Sequence, residues 1–185
     1  MNKNLVLTLV SAVVISVNLN AQKFLTKNGH INFYSHTAME DIKADNNQVA
    51  SILDIATGEM VFNVLMKSFR FDRALMEEHF NENYVESDKF PQAKFKGKIT
   101  NLSAVDFKKA GVYNVDIEGD MTIHGTTKPI KANGTLEVKD DHILGKSKFQ
   151  IKAPDYNIAI PSVVKEKFAE SLDVTVDMDY APMKK

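Results

Sequence analysis

The chain has 185 residues, a formal net charge of −1, no cysteine and no tryptophan, but eleven phenylalanines and eight methionines. So small a charge excludes a nucleic-acid binder of the usual basic kind. Without cysteine there is no disulfide, no thiol nucleophile and no lipid-bearing cysteine after an export signal, and the length fits one domain with a sizeable core.

Met1–Ala21 reads as a targeting segment: Lys3 supplies a positive start, Leu5–Val17 is an apolar run, and Leu19-Asn20-Ala21 offers a cleavage site before Gln22. The run is shorter than the roughly 20 residues a membrane span needs, and no second hydrophobic segment follows. Residues 22–185 are then expected as one exported domain, periplasmic or secreted, with no stable membrane span.

In the mature part, apolar residues recur with period two almost throughout. His30–His36 places Ile31, Phe33 and Ser35 on one face, and Thr37–Asn47 reads as a polar loop with Asp45-Asn46-Asn47 as turn chemistry. Gln48–Ile55 and Glu59–Lys67 flank a hairpin turn at Ala56-Thr57-Gly58, with Met60, Phe62, Val64 and Met66 sharing a face.

Phe69–Phe95 breaks the pattern. Phe71, Leu75, Met76, His79, Phe80 and Tyr84 make one helical stripe, Asp72 stands at the N-cap, Glu77 and Glu78 fall on the wet face, and Pro91 ends the segment.

Alternation resumes in Ala93–Asn101 and Val112–Ile123. An antiparallel register pairing Lys98, Lys96 and Lys94 with Asp116, Glu118 and Asp120 matches charges and lays Phe95 over Gly119. Pro129–Val138, His142–Ile151 and Leu172–Ala181 complete eight strands, the first two joined by a tight turn at Lys139-Asp140-Asp141. His124, at a strand end, is expected to be exposed.

Eight one-sided strands fit an all-β, antiparallel up-and-down barrel with one amphipathic helix between strands 3 and 4, set as a lid over an open end. A two-sheet sandwich gives the same alternation. Phe33, Phe62, Phe95 and Phe149 point inward from four strands, and this pattern suits a filled interior and a hollow one equally.

Chemical motifs are sparse. His30 and His36 share a face but stand about 20 Å apart along a strand. His79, after Glu77 and Glu78, lacks the second histidine of a zinc-protease motif, and there is neither a nucleophile elbow nor a phosphate loop. No metal, cofactor or catalytic group is expected. His79 on the helix stripe fits a core histidine or a group at the mouth of a cavity.

Three stretches resemble the YceI-like family of exported lipid- and polyisoprenoid-binding proteins with a lipocalin-like barrel. They are Glu77-Glu78-His79-Phe80 followed by Lys89–Phe95, then Gly119-Asp120-Met121-Thr122-Ile123-His124-Gly125-Thr126-Thr127-Lys128-Pro129, and Phe149-Gln150-Ile151 leading to Asp155-Tyr156-Asn157-Ile158. The resemblance spans Ile31 to Tyr180. It implies an elongated apolar tunnel holding an isoprenoid or fatty-acyl chain. The expected lining is Phe33, Phe62, Val64, Phe95, Ile117, Met121, Phe149 and Ile151 from strands and Leu75, His79 and Phe80 from the lid, with Asn157 as a polar contact near the mouth. Two other readings stand beside it: a packed envelope interaction module, and a lipid-modifying enzyme using His79 with a nearby Ser or Asp. A monomer and a homodimer both fit the pattern.

Overall fold

The computed structural model of the chain describes residues 23–161, 169 and 171–183. The expected targeting segment lies outside them. Among the described residues, nine strands form one antiparallel sheet: β1 (Lys23–His36), β2 (Asp41–Asp54), β3 (Glu59–Leu65), β4 (Arg70–Phe71), β5 (Gln92–Ile99), β6 (Gly111–Ile123), β7 (Thr126–Val138), β8 (Ile143–Lys152) and β9 (Ser171–Pro182). Because β1 pairs with both β2 and β9, the sheet closes on itself. Eight strands make the barrel, and the two-residue β4 is an addition against Ala44 and Asp45 of β2. Closure removes the free edges that a sandwich would keep.

The β2–β3 turn is held by Gly58, whose N–H donates to Asp54 O at 2.8 Å and whose φ of 76° suits glycine. His124 and Gly125 link β6 to β7 with φ of 50° and 72°, the two positive values that match the twist of a tight hairpin.

Four local expectations need correction. First, Thr37–Asn47 is not a loop, because β2 begins at Asp41 with Ile42, Ala44 and Asn46 buried. Asn46 is fully enclosed where β3 diverges from β2. Its Nδ2 donates to Leu65 O at 2.9 Å and its Oδ1 accepts from Gln48 N at 2.9 Å, replacing ladder bonds at the fork. Second, β1 starts at Lys23, and register shifts around Gly29 interrupt its alternation. Third, β5 and β6 pair two residues away from the charge-matched register: Lys98 faces Glu118, Lys96 faces Asp120 and Gly97 faces Gly119. Every side chain keeps its expected face, because the slip is even. Glu118 instead pairs with Lys131 of β7 at 2.7 Å.

Fourth, the helix is short. α1 covers Ala74–His79 and passes into one wide π-type turn at Phe80–Tyr84, with no residue of either fully buried. The N-cap is Arg73, not Asp72, and no side chain caps it. Glu77 is not purely solvated, since it accepts from Arg70 Nη1 at 2.8 Å and from Phe71 N at 3.3 Å. The helix lies across the rim, so only part of its stripe meets the barrel.

The barrel interior has two halves. At the end formed by the start of β1 and the end of β9, Phe24, Val49, Leu53, Val115, Ile143 and Tyr180 pack into a solid plug. Tyr180 is 1% exposed, and its hydroxyl shares a 2.8 Å hydrogen bond with Ser51 Oγ. Burial pushes that phenol far above its ordinary range, so it stays protonated.

Candidate functional site

The other half, under the helix, is hollow. A cavity of about 180 Å³ runs between the strands there. Met60, Phe62 and Val64 of β3 face it across from Phe149 and Ile151 of β8 and from Leu172, Val174 and Val176 of β9. Ile31 and Phe33 come from β1, and Phe95, Ile117, Met121 and Ile130 from the β5–β7 wall. Met66, Phe69, Phe80 and Tyr84 close the helix side. The wall is nearly all hydrocarbon. Ser147, Tyr84 and Lys94 are the lining residues with polar side chains, and the Ser147 hydroxyl already donates to Asn133 O at 2.7 Å. Among the described residues, no three His, Asp or Glu side chains are placed to hold a metal ion.

Phenylalanines cap the hollow half. Phe80 meets Phe33, Phe69 and Phe71 with ring centroids 5.6, 5.6 and 5.1 Å apart, and Phe33 touches Phe69 and Phe71 at 5.4 and 5.8 Å. Tilted and edge contacts at such spacings are the favourable geometries for aromatic rings. A second cluster pairs Phe62 with Phe95 at 5.9 Å across β3 and β5.

On the same rim as the helix a polar clasp ties three loops together. Glu86 accepts from His124 Nε2 at 2.7 Å, and His124 Nδ1 lies 3.3 Å from Tyr156 O. Phe90 packs edge-on against the imidazole at 4.5 Å. His124 is therefore not exposed as expected; its side chain is 11% exposed. The His124 hydrogen bond, with help from Lys89, holds the Glu86 carboxyl below the usual carboxylate range.

The sequence matches the family model of the YceI-like domain over residues 18–180. This chain belongs to the YceI-like family. Two UPF0312 proteins of Vibrio cholerae are each 30% identical to it over 145 residues, covering 72% of this chain and 73% of the relative. Among solved structures, a polyisoprenoid-binding domain from Saccharophagus degradans is similar at a TM-score of 0.75 and 13% identity, over 87% of this chain and 98% of that one. BcnA of Burkholderia cenocepacia is similar at 0.69 and 14%, over 83% and 96% of the two chains. The YceI protein of Campylobacter jejuni is similar at 0.61 and 14%, over 81% and 90%.

The motifs that resemble the YceI-like family occupy the hollow half. Gly119–Pro129 forms the end of β6 and the turn into β7, Lys89–Phe95 the approach to β5, and Phe149–Ile158 the end of β8 with the 3-10 turn Ala153–Tyr156. Of the expected lining residues, Phe33, Phe62, Val64, Phe80, Phe95, Ile117, Met121, Phe149 and Ile151 all face the cavity. Leu75, His79 and Asn157 do not. Leu75 is 61% exposed, and it and His79 border a separate outer hollow, because α1 turns that side of its stripe away from the barrel. Asn157, at φ 57°, ends the 3-10 turn and donates from Nδ2 to Thr126 Oγ1 at 2.8 Å, so it anchors a loop. Leu172, Val174 and Val176, which the alternation of the last strand turns inward, also line the cavity although they are not among the expected lining residues. Ala132 and Ser147 carry no sequence signal of this kind.

Proposed function

We propose that this chain is an exported binding protein that sequesters or carries a long-chain lipid, of isoprenoid or fatty-acyl type, inside the barrel, and that it is not an enzyme. The observation that carries this reading is the hydrocarbon-walled cavity under the helix, lined by residues from β1, β3 and β5–β9. Hiding a chain from water gains about 0.8 kcal/mol per methylene, so a tail alone supplies substantial affinity. The polyisoprenoid-binding domain of Saccharophagus degradans shares the fold and supports the same class of ligand. A fully packed module fits less well, since the plug fills only one half. An enzyme acting inside would need an acid–base pair there, and His79 stands outside the cavity. Export rests on the Met1–Ala21 segment.

Native mass spectrometry of the exported protein, followed by solvent extraction, tests the proposal. The expected result is a mass excess that extracts as a long-chain lipid, on a protein whose N-terminus begins near Gln22. Lipid-free protein that also fails to take up an added fatty-acyl or isoprenoid chain overturns it.

A further inference from the structure

Among the described residues, the cavity wall presents almost nothing polar to the end of a lipid. Ser147 is already engaged by Asn133 O, and although Tyr84 and Lys94 also belong to the lining, the surface turned to the cavity is nearly all hydrocarbon. A polar group left there without partners is strongly disfavoured. The head of any bound amphiphile must therefore sit outside the cavity but within reach of its tail.

A second hollow of about 300 Å³ lies between α1 and the start of β2. Phe33, Phe80 and Tyr84 line both hollows, so side chains form the wall between them. Phe80 sits in the wide turn after α1, in a segment with no fully buried residue, which leaves this wall able to part by side-chain rotation. The outer hollow also carries charge. Arg73 and His79 border it with Glu40, which pairs with Arg73. The Arg73 contacts to Glu40 and to Met76 Sδ both use Nη2, whereas a guanidinium carries five N–H donors.

We propose that this outer hollow is the head-group site, taking the carboxylate or phosphate end of a single-chain amphiphile whose tail lies in the barrel. Arg73 holds the anion there, and Glu40 competes with it for Arg73. The inference rests on the lipid-binding reading above.

Calorimetric titration of delipidated protein at low ionic strength, with dodecanoate, dodecyl phosphate, dodecanol and inorganic phosphate, tests it. Dodecanoate and dodecyl phosphate are expected to bind more tightly than dodecanol. Arg73→Gln is expected to weaken both anions about fivefold and leave dodecanol unchanged. Glu40→Gln breaks the same ion pair but frees the guanidinium, so it is expected to tighten the anions. Opposite signs separate a head-group contact from a structural one. The inference is overturned if both variants shift affinity in the same direction, or if acid and alcohol respond alike. Inorganic phosphate binding by itself in an Arg73-dependent way overturns it as well, in favour of a free-anion site. If no amphiphile binds the unaltered protein, the lipid-binding reading falls and takes this inference with it.

Discussion

Phe95 folds its ring down over Gly97 and Gly119, two glycines that face each other across β5 and β6. A Cβ on Gly119 would lie 2.5 Å from both Gly97 Cα and Lys96 O, so backbone would have to move. Gly145 is different: an added Cβ there meets side-chain atoms at 3.3 to 3.8 Å. Gly119→Ala is therefore expected to cost about 2 kcal/mol or more, and Gly145→Ala well under that, measured by urea unfolding. A comparable loss for the two would remove the close-approach argument. Tyr180 and Ser51 make a second residue-scale case. Tyr180→Phe leaves the buried Ser51 hydroxyl without its partner, and a loss of about 1–2 kcal/mol is expected by the same measurement.

At the scale of elements, the rim clasp has a definite acid response. The folded-state Glu86 carboxyl titrates below its ordinary range, mainly through the His124 hydrogen bond, so the native state binds its proton more weakly than the unfolded chain does. The clasp's contribution is thus fully present above the ordinary glutamate range and is lost as pH falls through the depressed value. Hydrogen exchange of residues 85–91, corrected for intrinsic rates, is expected to stay constant through mildly acidic pH and to rise only in strong acid. Glu86→Gln should remove that rise; a rise that persists in the variant would assign it to another group. The same segment shows what a sequence reader can and cannot see. Phe90 and His124 lie 34 positions apart and only the fold brings them together. The one-sided strands β3 and β5–β9 were legible because apolar residues or glycine occupy nearly every inward position, Ser147 of β8 being an exception. The start of β1 and of β2 were not, because Thr26 and Asn46 face inward as polar residues and Gly29 sits at a register shift. The β5–β6 register was misjudged by two because charge matching and an even slip satisfy the same facing rule. The helix stripe was legible, but where it would lie on the rim was not, since periodicity names a face and not its partner.

For the whole molecule, the division into a plugged half and a hollow half is what patterning could not give, since the same alternation fills or lines a barrel. That division makes stability and binding separable. Leu53 is fully buried in the plug, far along β2 from the cavity mouth, so Leu53→Ala is expected to cost about 2–5 kcal/mol in urea unfolding while leaving the affinity of the folded fraction for a fluorescent fatty acid unchanged. Met121 faces the cavity from β6 and is 9% exposed. Met121→Trp places added volume in empty space rather than in packed atoms, so the unfolding midpoint should change by less than about 1.5 kcal/mol in equivalent stability. Binding of the same fatty acid should fall at least tenfold, because the indole occupies the room the chain needs. If Leu53→Ala lowered affinity in the folded protein, or Met121→Trp unfolded the barrel without affecting binding, the two halves would not be independent. The cavity would then be a packing defect shared by the whole core and not a compartment built for a chain.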